Sequence, residues 1–240
     1  MTVPVDWCVP LNGPNVDVLA RLFFGSFLRL CDVRGVTFHI IDRGIDPAHM
    51  EQVRWLLRDQ EVVFYNLPVP PDVMDVVYCA NWCLEHCGER KWCILSHFDI
   101  LFHRDYLMNL RNRLSEEVGQ LGQHGSGIIL LNRQAFRESV FKFFSMAPFY
   151  LVDNQWPAGR WKLRFKEDRR IGGNCFELHG FDVGELLELE LRVKGWRVEP
   201  LEEEYNTHFE HLRGGGSEFL PEQVAAMRSR AQALIDAYGF

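Results

Sequence analysis

Asp99 is the residue whose surroundings first point to chemistry. It stands in residues 94–102, Ile-Leu-Ser-His-Phe-Asp-Ile-Leu-Phe, where only Ser96, His97 and Asp99 interrupt an apolar run. A carboxylate among apolar side chains is costly unless it is paired or binds a cation. Asp99 therefore serves a cation, or else a turn or an ion pair with Arg104. A second polar cluster fills residues 207–217, Thr-His-Phe-Glu-His-Leu-Arg-Gly-Gly-Gly-Ser, with His208, His211, Arg213, Gly215 and Ser217 as candidates. Its glycines let backbone amides approach phosphate oxygens, and Arg213 adds a charge-assisted contact. The same run also reads as a hinge before the last helix. Asp182, in Phe181-Asp182-Val183-Gly184, is an acid at a helix start, where an N-cap belongs.

Two further patterns carry reactive or charged groups. Residues 160–166, Arg-Trp-Lys-Leu-Arg-Phe-Lys, alternate cations and apolar residues with the period of a strand. They read as an anion-facing strand, or as an edge strand whose cations resist aggregation. Cys79, Cys83 and Cys87 recur every fourth residue beside His86. Structural zinc sites draw Cys pairs from turns, so this spacing, with Tyr78 and Trp82 interleaved, reads as the buried face of a helix.

These residues must be positioned by a regular scaffold, and the chain alternates strand and helix signals. Strands are expected at residues 3–9, 36–41, 61–65, 92–95, 127–131 and 196–201. Helices are expected after Asn15, with Leu19, Leu22, Phe23, Phe27 and Leu30 on one face, and from Pro47, at 73–87, 105–117, 133–146, 184–194 and 221–238. The alternation predicts an α/β fold, mainly a parallel sheet with helices on both faces. Residues 148–174 break the rhythm as an irregular insertion in a single domain spanning 1–240. In such a sheet, ligands gather at the carboxyl ends of strands. That rule marks Asn12, Asp42 with Arg43, the Ser96–Asp99 stretch, and Asn132.

Composition bounds the partners. The 240 residues carry 26 Lys and Arg against 33 Asp and Glu, a formal charge of −7, which disfavours nucleic acid as the main partner. No run reaches the roughly 20 apolar residues of a membrane span. Seven cysteines, an odd number, fit reduced thiols and a cytoplasmic setting better than a disulfide framework. The apolar face of the last helix packs on the domain or on a second subunit, which leaves a homo-oligomer open.

The order strand, Asp42-Arg43-Gly44, strand, helix, Ser96-His97-Phe98-Asp99 resembles the GT-A nucleotide-diphospho-sugar glycosyltransferase superfamily. The resemblance extends over about residues 3–217 and implies a Rossmann-like GT-A domain. It implies that Asp99 stands at the second position of an Asp-x-Asp metal motif, with His97 in place of the first acid. It further implies that Asp42 contacts the donor nucleoside, that a late histidine returns to the metal, His211 being favoured with His208 left open, and that Asp182 is the acceptor-side base. Asn12, Arg43, Ser96, His97, Arg213, Gly215 and Ser217 then surround the donor. The cofactor would be Mn²⁺ or Mg²⁺, with a histidine ligand favouring Mn²⁺. The expected activity is glycosyl transfer from a nucleotide-sugar to the hydroxyl of a glycan, small molecule or protein. The alternatives are a non-catalytic transferase-like binding domain and a sugar nucleotidyltransferase. Pro10-Leu11-Asn12-Gly13-Pro14 lacks the basic glycine-rich loop that the last would place after its first strand.

Overall fold

Val5–Leu11 (β1) is apolar at nearly every position, as a strand covered on both faces must be. In the computed structural model it lies near the middle of a 7-stranded sheet of order β3-β2-β1-β4-β7-β6-β8. The structure describes residues 2–68, 75–122, 127–140, 142–143, 184–201, 204, 207–212 and 221–240. β1 pairs in parallel with Val36–Asp42 (β2) and with Trp92–Ser96 (β4), and β2 pairs in parallel with Val62–Asn66 (β3). Ile128–Asn132 (β7) runs antiparallel to β4 and to Val118–Leu121 (β6), which pairs in parallel with Arg197–Glu199 (β8).

The period of two along β1 separates two cores. Trp7 faces Val16–Leu30 (α1), Pro47–Leu56 (α2), Tyr106–Arg113 (α4) and Pro221–Tyr238 (α7), which all contribute buried side chains to its cluster. Cys8 faces the opposite core, built from Asp75–His86 (α3), Arg133–Glu138 (α5) and Glu185–Val193 (α6). Helices thus cover both faces, as the alternation predicts. Trp7 packs edge-on against Phe27 with ring centroids 4.4 Å apart and against Phe102 at 6.2 Å. Pairs of this kind add about 0.5–1.5 kcal/mol each beyond area burial.

The helix ends follow local chemistry in most places. Asp46 accepts a hydrogen bond from the Ala48 amide at 2.8 Å with Pro47 in the first turn, and Asp105 caps α4 through the Met108 amide at 2.9 Å. Asn15 occupies the N-cap of α1 without capping it. Its Nδ2 instead donates to the Val224 carbonyl at 2.9 Å and ties α1 to α7.

Three sequence expectations change. The helix from Asp105 ends at Arg113 rather than near 117, and the residues after it form β6. The helix from Arg133 ends at Glu138, where Ser139 turns extended. Asn132 does not lie at the carboxyl edge occupied by Asp42 and Ser96. Because β7 is antiparallel, Asn132 pairs with Trp92 at the opposite edge, where its side chain caps α5. The expected irregular insertion at 148–174 and the basic alternation at 160–166 lie outside the described residues. Among those described, no helix is long and apolar enough to cross a membrane.

A buried ionic network closes the lower end of the sheet. Asp6, 2% exposed, sits 3.2 Å from His39 Nε2, accepts from the Arg90 amide at 3.0 Å and pairs with Arg133 at 3.2 Å. Burial alone would raise its carboxyl pKa. The His39 bond and charge, the Arg90 amide and the Arg133 charge outweigh burial and hold it below its ordinary 3.8. A lowered folded-state value means its stabilisation is complete above 3.8 and is lost as pH falls from there through the folded value. Asp6→Asn should therefore cost about 3–5 kcal/mol at pH 7, since it leaves Arg133 buried without its counter-charge. Urea unfolding of both proteins from pH 7 to pH 3 checks this. The difference should shrink toward the acid end.

Candidate active site

The site is assembled by a ladder three residues long. After β4 the chain turns through His97, Phe98 and Asp99 into Ile100–Phe102 (β5), which pairs antiparallel with Phe209–His211 (β9). The register sets His211 opposite Ile100, and the Leu212 amide donates to the Asp99 carbonyl at 2.8 Å. At the other end, the His103 amide donates to the His208 carbonyl at 2.7 Å. Phe209 anchors the strand in the core, edge-on to Tyr106 with centroids 4.9 Å apart. With Phe209 inward, the strand period carries His211 to the same side.

Three lone-pair donors converge as a result. His211 Nε2 lies 3.0 Å from Asp99 Oδ1 and 3.2 Å from His97 Nδ1, while His97 Nδ1 is 3.7 Å from Asp99 Oδ1. The Asp99 and His211 side chains are 4% and 9% exposed, but His97 is 40% exposed, so the cluster opens to solvent on the His97 side. A proton on His211 Nε2 can satisfy Asp99 or His97 but not both fully. A divalent cation can take all three donors at once, since each offers a ligand atom and these lie within 4.8 Å of one another. Two imidazoles and one carboxylate suit Mn²⁺, which accepts nitrogen ligands more readily, better than Mg²⁺, which prefers oxygen. His211 Nδ1 is buried with no hydrogen-bond partner among the described residues.

The other expected residues divide into two groups. Asp42 and Asn12 lie at the carboxyl edge, where Leu11, Asp42 and Asn66 end three neighbouring strands in register. Asp42 Oδ1 accepts from the Gly44 and Ile45 amides at 2.8 and 3.0 Å, so its carboxylate is oriented by its own turn. Asp42 and Asn66 line a cleft of about 240 Å³ with Tyr65, Phe64, Met50 and Arg54. Asn66 was not anticipated, although its position at the end of the third strand was a usable signal.

Several candidates are engaged elsewhere. Ser96 is buried, and its Oγ accepts from Trp7 Nε1 at 2.6 Å, which serves the core. Arg43 is buried too, donating to the Leu67 carbonyl at 2.5 Å with its guanidinium 5.7 Å from the Tyr78 ring centre. His208 stands apart from the convergent group, with Nδ1 3.1 Å from Thr207 Oγ1. Asp182, Arg213, Gly215 and Ser217 lie outside the described residues. His97 was expected near the donor, and the fold makes it the third member of the Asp99 and His211 group.

No family model matches the chain, and no curated protein matches its sequence. Solved structures do match its fold. The galactosyltransferase LgtC, in complex with donor and acceptor sugar analogues, superimposes with a TM-score of 0.53 at 13% identity over 97% of this chain and 95% of that one. The glycosyltransferase GlyE of Streptococcus pneumoniae gives a TM-score of 0.50 at 13% identity over 85% of this chain. The chain spans 47% of the length of GlyE, and 64% of that of an LgtC active-site mutant matched at a TM-score of 0.47. The chain has the GT-A fold of glycosyltransferases.

Gly127 sets the back wall of the cluster. Its carbonyl accepts from the His97 amide at 2.8 Å, its φ is +77°, and a Cβ there would stand 3.0 Å from His211 Nδ1. Gly127→Ala should cost about 1–3 kcal/mol in backbone strain and displace the imidazole. Chemical denaturation measures the first effect, and the His211 ring resonances in NMR report the second.

Proposed function

We propose that the protein is a metal-assisted glycosyltransferase that moves a sugar from a nucleotide-diphosphate donor to an acceptor hydroxyl. The observation that carries this reading is the convergence of His97, Asp99 and His211 after the fourth strand of a GT-A sheet. Asp99 and His211 would hold the cation, with His97 as the exposed third ligand, while His208 has no part in it. When bound, Mn²⁺ or Mg²⁺ supplies a Lewis acid for the negative charge that develops on the diphosphate leaving group. LgtC holds donor and acceptor sugar analogues on this fold, which supports transfer from a sugar donor here.

The chain's own groups then divide the work. Asp42, oriented by the Gly44 and Ile45 amides, presents its carboxylate to the donor nucleoside beside Asn66. Asn12 flanks the same strand ends. Ser96 and Arg43 act indirectly, Ser96 by fixing Trp7 under the β4 end and Arg43 by tying the turn after Asp42 to Leu67. Arg213, Gly215 and Ser217 follow β9 directly and supply a guanidinium, backbone amides and a hydroxyl for phosphate oxygens. Asp182, just before α6, takes the acceptor proton as the new glycosidic bond forms. Buried free thiols fit a reducing compartment and hence a cytoplasmic protein. We take residues 1–240 as one catalytic unit.

Asp99→Asn should lower transfer at least 100-fold, on the order of 3 kcal/mol of barrier, with the circular dichroism spectrum unchanged. In the unsubstituted protein, one nucleoside diphosphate should raise the melting temperature in the presence of Mn²⁺, by about 2.7 kcal/mol of stability at a hundredfold excess over Kd. His97→Asp should move the metal preference toward Mg²⁺. An absence of stabilisation by every UDP, GDP, CMP and dTDP species, with and without metal, would rule the function out. Binding without sugar release from any nucleotide-sugar would instead identify a non-catalytic domain.

A further inference from the structure

Five cysteines gather on the face of the sheet opposite Trp7. Cys8 comes from β1, Cys93 from β4, Cys79 and Cys83 from α3, and Cys87 from the residue after it. All are buried, with Cys8 and Cys93 sulfurs 3.7 Å apart and Cys79 and Cys83 sulfurs 3.9 Å apart. The Cys8, Cys83 and Cys87 sulfurs form a mutually close trio, each within 4.8 Å of the other two, and all three residues have 0% exposure. A helical i, i+4 pair supplies two of them and the central strand supplies the third.

The charges around this group are unusual for an apolar core. Arg133, 2% exposed, donates to the carbonyls of Leu84 and Cys87 at the end of α3. It and Arg90 share the buried carboxylate of Asp6, which also holds His39, and Arg90 pairs in addition with Glu61 at 3.2 Å. Asp6 and Glu61 balance the two guanidinium groups.

We propose that Cys8, Cys83 and Cys87 form a binding site for one soft monovalent cation, Cu(I), held by three thiolate sulfurs. Soft thiolates select such ions, and the group contains no oxygen ligand for a hard cation. Zinc in closed structural sites takes four ligands, and the convergent group here numbers three. On binding, three S–H groups release their protons to solvent while copper enters and remains Cu(I), so no oxidant is required. The ion would clip the end of α3 to the central strand of the sheet. This site is independent of the glycosyl-transfer reading.

The test uses the full chain, reduced and free of oxygen, titrated with Cu(I) delivered from a weaker chelator. One equivalent should bind with a near-ultraviolet thiolate-to-copper charge-transfer band and a raised melting temperature. X-ray absorption should show a shell of three sulfurs. Cys87→Ser should weaken binding at least ~10-fold and remove the band, whereas Cys79→Ser and His97→Ala should retain both. Absence of the band and of the melting shift in the unsubstituted protein overturns the proposal. So does an unchanged band in folded Cys87→Ser, or a shell dominated by nitrogen, which would place copper on the imidazoles. If Cys87→Ser does not fold, the sulfur count in the unsubstituted protein decides.

Discussion

The candidate site depends on the pairing of β5 with β9, two strands of three residues each. Such a ladder contributes few backbone hydrogen bonds, and a pair this short has little stability alone. It holds because both ends are tied, by the Leu212 amide to Asp99 and by the His103 amide to His208, and because Phe209 is buried against Tyr106 and Phe102. Those contacts bring a histidine to a carboxylate 112 residues earlier in the chain. A register slip of one residue would turn His211 to the other side and present Glu210 in its place, converting the donor set.

The sheet supplies the other half of the constraint. Trp7 is packed among the phenylalanines of α1 and donates to Ser96, the last residue of β4, so the core fixes where the His97–Asp99 turn begins. At the lower end, Asp6 gathers His39 from β2, Arg90 from the loop before β4 and Arg133 from α5, and closes the sheet beneath the cysteine cluster. One strand, β1, thus supports two chemically different clusters on its two faces. The period of two lets neighbouring residues Trp7 and Cys8 serve them separately.

Much of the scaffold was legible in the residues. The apolar runs of β1, β2 and β4, the Asp46-Pro47 start of α2 and the span of α7 from Pro221 to Tyr238 all follow local rules. β5, β6 and β9 did not, because segments of three or four residues carry too little period to be distinguished from a turn or a helix end. The direction of β7 was hidden for a related reason. An apolar run reads the same whether it pairs parallel or antiparallel, so Asn132 was expected at the wrong edge.

The sequence by itself determined an α/β chain with acids at strand ends, an odd count of thiols and a net negative charge, since each of these follows from composition and short-range pattern. It also singled out Asp99, because a carboxylate in an apolar stretch demands a partner. Only the tertiary structure decided which partners it meets. It chose His211 over His208, joined His97 to them, gave Ser96 to Trp7, and set Cys8 against Cys83 and Cys87. Those choices rest on pairing register and on strands from distant parts of the chain packing together, and spacing along one segment cannot encode either.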